Sequence, residues 1–203
     1  MKKHIEFYFD FGSPTAYLAF YRLRQLAEQY QGSIEYRPIL LGGIFKASGN
    51  QSPVTVAAKG QYMMAQDLPR FAKRYAVPLK PNPFFPINTL PLMRAAFAAK
   101  ELGCFEQYAD TVFKAIWRDS QNMAELDVIS EVLDKAGLPT QDLLTKTQDP
   151  KIKAALIEAT EKAFARGLFG APTMFVDDQM YFGQDRLDFV EEHLISGLEK
   201  ANK

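Results

Sequence analysis

Thiol and imidazole groups are nearly absent from this chain: one cysteine, Cys104, and two histidines, His4 and His193, in 203 residues. A lone cysteine excludes an intramolecular disulfide and any CxxC redox pair, and with two histidines beside it no zinc site is expected. Cys104 follows Gly103 at a predicted helix start and reads as a small packing residue. Net charge is lacking as well. The 24 basic and 24 acidic residues cancel, so no overall field favours nucleic acid, an anionic membrane or a strongly charged substrate. No apolar run approaches the roughly 18 residues of a spanning helix. Met1-Lys2-Lys3-His4 leads straight into a strand and not into the apolar region of a signal peptide. These absences predict a cytoplasmic chain with small or local partners. Internal repeats, low-complexity segments and linker-like composition are also missing, which leaves one domain, or one domain with a large insertion.

What the chain does have is a sharp strand-to-helix junction near its start. Ile5 to Phe9 is an apolar, aromatic run with almost no break, expected of a strand buried on both faces and extending to Asp10, and Gly12 marks a tight turn after it. Ser13 then reads as a helix cap and Pro14 as the first helical residue, where a missing N–H costs nothing. Free N–H groups and the positive end of the helix dipole converge near the Ser13 hydroxyl, which suits an anion or a thiolate. Ser13 as a plain cap explains this segment equally well.

The helix predicted from Pro14 to about Gln29 carries a stripe of Ala16, Phe20, Leu23, Ala27 and Tyr30, and Ser33 to Leu40 follows as a second strand. The two strands are expected to be parallel, joined by a right-handed crossover. From Gly42 to about Arg166 the pattern is helical, with helices predicted over Thr55 to Ala76, Thr89 to Leu102, Phe105 to Arg118, Ala124 to Ala136 and Pro150 to Arg166. Trp117 and Met63-Met64 are assigned to the core. Val77 to Asn88, with four prolines around Phe84 and Phe85, is excluded from regular structure. A hairpin follows, Thr173 to Val176 and Met180 to Phe182 around Asp177-Asp178-Gln179. The last helix begins near Asp185, with Leu187, Val190, Leu194 and Leu198 on one face. The fold class is therefore α/β: a thioredoxin-like β-α-β…β-β-α sheet interrupted by an all-helical insertion. The expected division is 1–41 with 167–203 for the sheet domain and 42–166 for the insertion.

Gly170-Ala171-Pro172-Thr173 stands directly before the third strand, where proline belongs to a strand start or a turn. Opposite Ser13-Pro14 it would form the second wall of one thiol site, its backbone open to pairing with an extended peptide.

Three blocks carry a resemblance spanning nearly the whole chain. They are Tyr8-Phe9-Asp10-Phe11-Gly12-Ser13-Pro14-Thr15-Ala16-Tyr17-Leu18-Ala19, Tyr36-Arg37-Pro38 with Leu41 to Asn50, and Phe169 to Val176 with Phe182 to Leu187. In these the chain resembles the 2-hydroxychromene-2-carboxylate isomerases and the kappa-class glutathione transferases. The resemblance implies a cis Ala171-Pro172 bond, glutathione as cofactor, and Ser13 in place of the first cysteine of a redox motif. Ser13-Pro14-Thr15-Ala16 holds no sulfur, so the protein itself performs no disulfide exchange. By the same resemblance Ser13 is catalytic. Ser13, Pro14, Thr15, Asn50, Ala171, Pro172, Gln184 and Asp185 bind glutathione, with Asp185 receiving its ammonium group. Arg37, Asn50, Phe85 and Asn88 face a small aromatic substrate. Lys46 and Lys59 are either solvated or partners of a glutathione carboxylate. On residue pattern alone Gln184 and Asp185 serve equally as helix caps, Arg37 as a strand-edge charge and Asn50 as a turn residue. The family also implies a homodimer. The implied activity is glutathione-dependent isomerisation, with a kappa-like transferase or peroxidase, or a non-catalytic thiol-peptide binding module, as the alternatives.

Overall fold

A computed structural model of the chain describes residues 3–201, with side chains described up to residue 196. Four strands form one mixed sheet in the order β2-β1-β3-β4: β1 (His4–Phe9), β2 (Ser33–Pro38), β3 (Thr173–Val176) and β4 (Gln179–Phe182). β1 runs parallel to β2 and antiparallel to β3, which turns back into β4. The β1 side chains alternate between two buried layers, as period-two geometry requires. Phe7 and Phe9 stack at 5.3 Å on one face, joined by Phe11, Phe20 and Phe113. Tyr8 points to the other face, among Ile39, Ile44, Ala163, Leu168 and Phe175. Each fully buried aromatic of this kind contributes about 1.5–3 kcal/mol, which makes the aromatic run of β1 the anchor of the sheet.

Helix α1 (Pro14–Gln29) begins where the sequence places it. Ser13 has extended backbone angles and its Oγ accepts the Ala16 N–H at 3.1 Å. Its side chains from Ala16 to Phe20 are all buried, so its first turns are held tightly under the sheet. The intervening helices are α2 (Leu41–Ser48), α3 (Ala57–Tyr62), α4 (Leu68–Tyr75), α5 (Leu90–Glu101), α6 (Phe105–Trp117), α7 (Leu126–Lys135), α8 (Thr140–Lys146) and α9 (Pro150–Ala165). After β4 the chain makes a 3-10 turn over Gln184–Arg186 and enters α10 (Leu187–Ala201). Leu187, Val190 and Leu194 of α10 are buried, whereas the Leu198 side chain lies outside the described residues.

Two short helices, α2 and α8, were not individually foreseen, and one long helix is broken. In place of a single helix over Thr55 to Ala76 there is a 3-10 turn at Pro53–Thr55, then α3, a π turn at Met63–Asp67, and α4. Pro69 accounts for the break. It cannot donate to the carbonyl four residues back and its ring crowds that turn, so the ladder slips to a five-residue bond from Leu68 N–H to Met63 O. The proline-rich stretch before α5 contains no regular element, and it is firmly tied. Buried Asn82 donates to Ile116 O and Gln121 O, and Lys80 N–H donates to Trp117 O.

Candidate active site

The junction after β1 is held by a single buried carboxylate. Asp10 Oδ1 accepts Gly12 N–H at 2.9 Å and the Thr89 hydroxyl at 2.7 Å, and Oδ2 accepts Leu41 N–H at 2.8 Å. One side chain thus fixes the turn before Ser13, the start of α2 and the approach to α5. Burial pushes the Asp10 carboxyl above its ordinary value, against the three hydrogen bonds that favour its charged form. Beside it, the Phe11 carbonyl accepts the indole N–H of fully buried Trp117 at 2.8 Å.

On this support Ser13 borders a cleft of about 790 Å³. The cleft lies between the start of α1, one face of α2, the segment around the α3 entry, and the loops before β3 and after β4. Ser13 is 5% exposed, and its oxygen is in contact with three groups. It accepts the Ala16 N–H, shares a hydrogen with the Thr15 hydroxyl at 2.8 Å, and reaches Ala171 O at 3.2 Å. Pro14 has no N–H, Ala16 N–H goes to Ser13 Oγ and Tyr17 N–H to Ser13 O. Thr15 N–H is therefore the first-turn donor left without an acceptor among the described residues. Ala171 N–H is likewise without one, and the Ala171-Pro172 bond is cis.

The far end of the cleft is built by the turn into α10. Gly183 N–H donates to Pro172 O at 2.9 Å, with Gly183 at φ +97°, where a Cβ would collide with Asp185 Oδ1. Only glycine fits this corner. The Gln184 carbonyl accepts the Tyr75 hydroxyl at 2.7 Å, and burial pushes that phenol up to about 12. Asn50 clips the end of α2 across the mouth, its Nδ2 donating to Phe169 O at 2.8 Å. Phe169 and Phe182 pack at 4.5 Å over Gly170, whose missing Cβ would lie 2.7 Å from the Phe182 ring.

Ser13, Pro14, Thr15, Asn50, Phe85, Ala171, Pro172, Gln184 and Asp185 therefore border one cleft. Arg37 and Asn88 do not. Arg37 projects from edge strand β2 on the Tyr8 face and pairs with Glu35 at 2.8 Å and Glu6 at 3.3 Å. Burial raises the Glu6 carboxyl, but Arg166 and Arg37 outweigh it and hold it below its ordinary value. Strand alternation decides the matter: Tyr36 turns inward, so Arg37 turns out toward α9. Asn88 is exposed and caps the entry to α5, its Oδ1 accepting Leu90 N–H at 3.1 Å. Among the described residues Lys59 is the one cation lining the cleft, whereas Lys46 sits on the opposite face of α2. Met63 borders the cleft as well as the core. The sequence pattern assigns no site role to Asp10, Thr89, Tyr75, Phe45, Asp67, Phe169 or Phe182, which the structure places in or behind the cleft. The paired aromatics flanking Gly170 and Gly183 were the available signal for the last two.

A thioredoxin-like sheet, a helix-capping residue facing a cis proline and a helical insertion form a recognisable set. The model of the DSBA-like thioredoxin domain matches residues 4–195. The chain belongs to this family. A 2-hydroxychromene-2-carboxylate isomerase of Sphingobium xenophagum is 36% identical over 207 residues, covering 96% of this chain and 100% of the relative. Glutathione S-transferase kappa 1 of Rattus norvegicus is 32% identical, covering 92% and 88%. A solved 2-hydroxychromene-2-carboxylate isomerase superposes with a TM-score of 0.85 at 30% identity, over 98% of this chain and 97% of that one. Within the family the chain thus groups with these isomerases and kappa transferases, and it is an enzyme. No helix among the described residues is long and apolar enough to cross a membrane.

Proposed function

We propose that the Ser13 cleft binds glutathione, and that the enzyme interconverts 2-hydroxychromene-2-carboxylate and trans-o-hydroxybenzylidenepyruvate, or a closely related intermediate of aromatic-compound breakdown. One observation carries this reading: a hydroxyl stands at the start of α1, 3.2 Å from the carbonyl before a cis proline, in a chain with no cysteine at that place. Such a site activates a thiol that it does not itself own. Glutathione, when bound, supplies a thiolate that adds to the conjugated double bond, allows it to rotate and leaves unchanged.

The residues present fit that molecule. Ser13 turns its hydrogen from Ala171 O to the sulfur while still accepting from Ala16, and Thr15 N–H with the α1 dipole favours the charged form of the thiol. Ala171 N–H pairs with the cysteinyl backbone. Asp185 takes the ammonium group, and the turn into α10 takes the adjacent carboxylate. The aromatic body of the substrate lies among Phe45, Phe85, Phe169 and Phe182, and Lys59 faces its carboxylate. The same reading takes the enzyme as a cytoplasmic homodimer.

Arg37 is expected from the resemblance to face the substrate, and its absence from the cleft favours a second reading. A cleft with a single cation among the described residues also suits a kappa-like transferase acting on a less charged electrophile. One assay separates the two. With 2-hydroxychromene-2-carboxylate, turnover followed by absorbance should require glutathione, fail with S-methylglutathione and leave the thiol titre constant. Thiol consumed in step with product assigns the transferase, and equal rates without thiol remove both readings.

Asn50→Ala tests the clip over the mouth. The side chain is exposed, so stability should stay within about 0.5 kcal/mol, while release of Phe169 should raise the glutathione KM about threefold to tenfold as the mouth loses its fixed geometry. An unchanged KM would make the clip incidental.

A further inference from the structure

Helix α2 has two working faces. Leu41 and Phe45, four residues apart, line the Ser13 cleft, whereas Gly43, Lys46 and Ala47 line a separate cavity of about 420 Å³ closed by α5 and α9. Its apolar lining comes from Leu40, Leu90 and Leu156, with Ile157 and Phe164 at the mouth, 58% and 41% exposed. Three cations border it, Lys46, Arg94 and Lys153, against one carboxylate, Glu161. None of the three is ion-paired among the described residues. The neighbouring Glu158 is taken up by Lys162 at 2.6 Å, and Lys153 reaches only the amide of Gln148. Arg94 is the more telling member: it lines the cavity, and its buried Nε has no acceptor among the described residues. Buried donors are normally satisfied, so Arg94 is a cation whose hydrogen-bonding capacity the fold leaves unused, and with two further unpaired cations on the rim the chamber suits an anion.

We propose that this cavity binds a small amphipathic carboxylate, a bicyclic aromatic acid in size and chemistry, with its ring among the leucines and its carboxylate on Arg94 and Lys153. The volume falls in the range of small-molecule sites. A second copy of the chain is the weaker occupant, because a two-fold contact sets each cationic rim against its own like-charged copy. The proposal does not depend on the reaction assigned to the Ser13 cleft.

The test is calorimetric titration with 1-naphthoate and its neutral counterpart 1-naphthamide. The wild-type protein should prefer the carboxylate by about tenfold or more, and Arg94→Gln should remove that preference while leaving the amide within about twofold, since a bond to a charged group is what is lost. Lys153→Gln, on the half-exposed helix surface, should weaken the carboxylate alone by about threefold to fivefold and guards against a fold defect in the Arg94 variant. Lys59→Gln, in the Ser13 cleft, should leave the Arg94-dependent share of naphthoate binding in place, whatever the Ser13 cleft itself takes up. Equal affinities for acid and amide overturn the proposal. So does loss of naphthoate binding in Lys59→Gln with none in Arg94→Gln, which puts the acid in the Ser13 cleft. A wild-type dimer that Ile157→Glu converts to monomer in sedimentation also overturns it, because the face is then an interface between copies.

Discussion

Ser13→Ala is expected to raise the pKa of bound glutathione and to slow thiol chemistry at neutral pH by about one to two decades. A hydrogen bond to a charged acceptor contributes about 1.5–3 kcal/mol, which is that factor when it is expressed in the transition state. Binding should weaken much less, because the peptide arms rest on Ala171, Gln184 and Asp185 and not on the hydroxyl. Raising the pH should return part of the rate, since it restores thiolate without restoring the bond. The variant also strips Ala16 N–H of its acceptor, so a stability loss of about 0.5–2 kcal/mol is expected whether or not Ser13 meets a sulfur. The thiolate absorbance of bound glutathione separates the two roles. Coincident titration curves for the two proteins would leave Ser13 a helix cap and take the centre out of the mechanism.

Asp10→Ala should be the most damaging change outside the aromatic core. It orphans the buried Thr89 hydroxyl and the N–H groups of Gly12 and Leu41, at about 1–3 kcal/mol for each donor that water does not reach. It also frees the three segments whose relative position defines the cleft, so activity should fall further than stability alone explains. The pH dependence carries a separate signature. A carboxyl raised in the folded state holds its proton more tightly there than in the unfolded chain. Its contribution to stability is therefore complete below the ordinary value of 3.8 and is lost as the pH climbs through the raised folded value. Denaturant unfolding from the acid side toward neutrality should show the wild type losing that increment and the variant not. Parallel stability curves would mean that Asp10 is ionised as readily in the native protein as in the unfolded one.

The β1-α1-β2 unit was legible in the sequence because local signals agreed there: an apolar run, a cap, Pro14 at the first helical position and a clear stripe. The juxtaposition of Ser13 with Ala171-Pro172 was legible only through resemblance, since no local rule joins residues 158 positions apart. Helix α2 escaped notice because Gly42 and Gly43 are poor helix formers, and what starts it is a side chain 31 residues upstream, Asp10, holding Leu41 N–H. Asp10 itself reads as an ordinary turn residue until its partner 79 positions away comes into view. Arg37 shows the opposite failure. Its strand was assigned, but whether an edge residue faces cleft or helix follows from the register against β1, which composition does not encode.

The order of strands in the sheet also sets an order in time during synthesis. β1 is made before the other three strands, and its antiparallel partner β3 begins only at Thr173. At the usual pace of translation β1 waits about 10–30 s for that neighbour, with one ladder of backbone groups unpaired. Its aromatic side chains need not wait so long. Phe20 of α1 and then Phe105 and Phe113 of α6 are made well before β3, and Phe113 packs against Phe9, Phe11 and Phe20. The helices inserted between the two halves of the sheet thus offer cover for the aromatic face of β1 before its antiparallel neighbour exists.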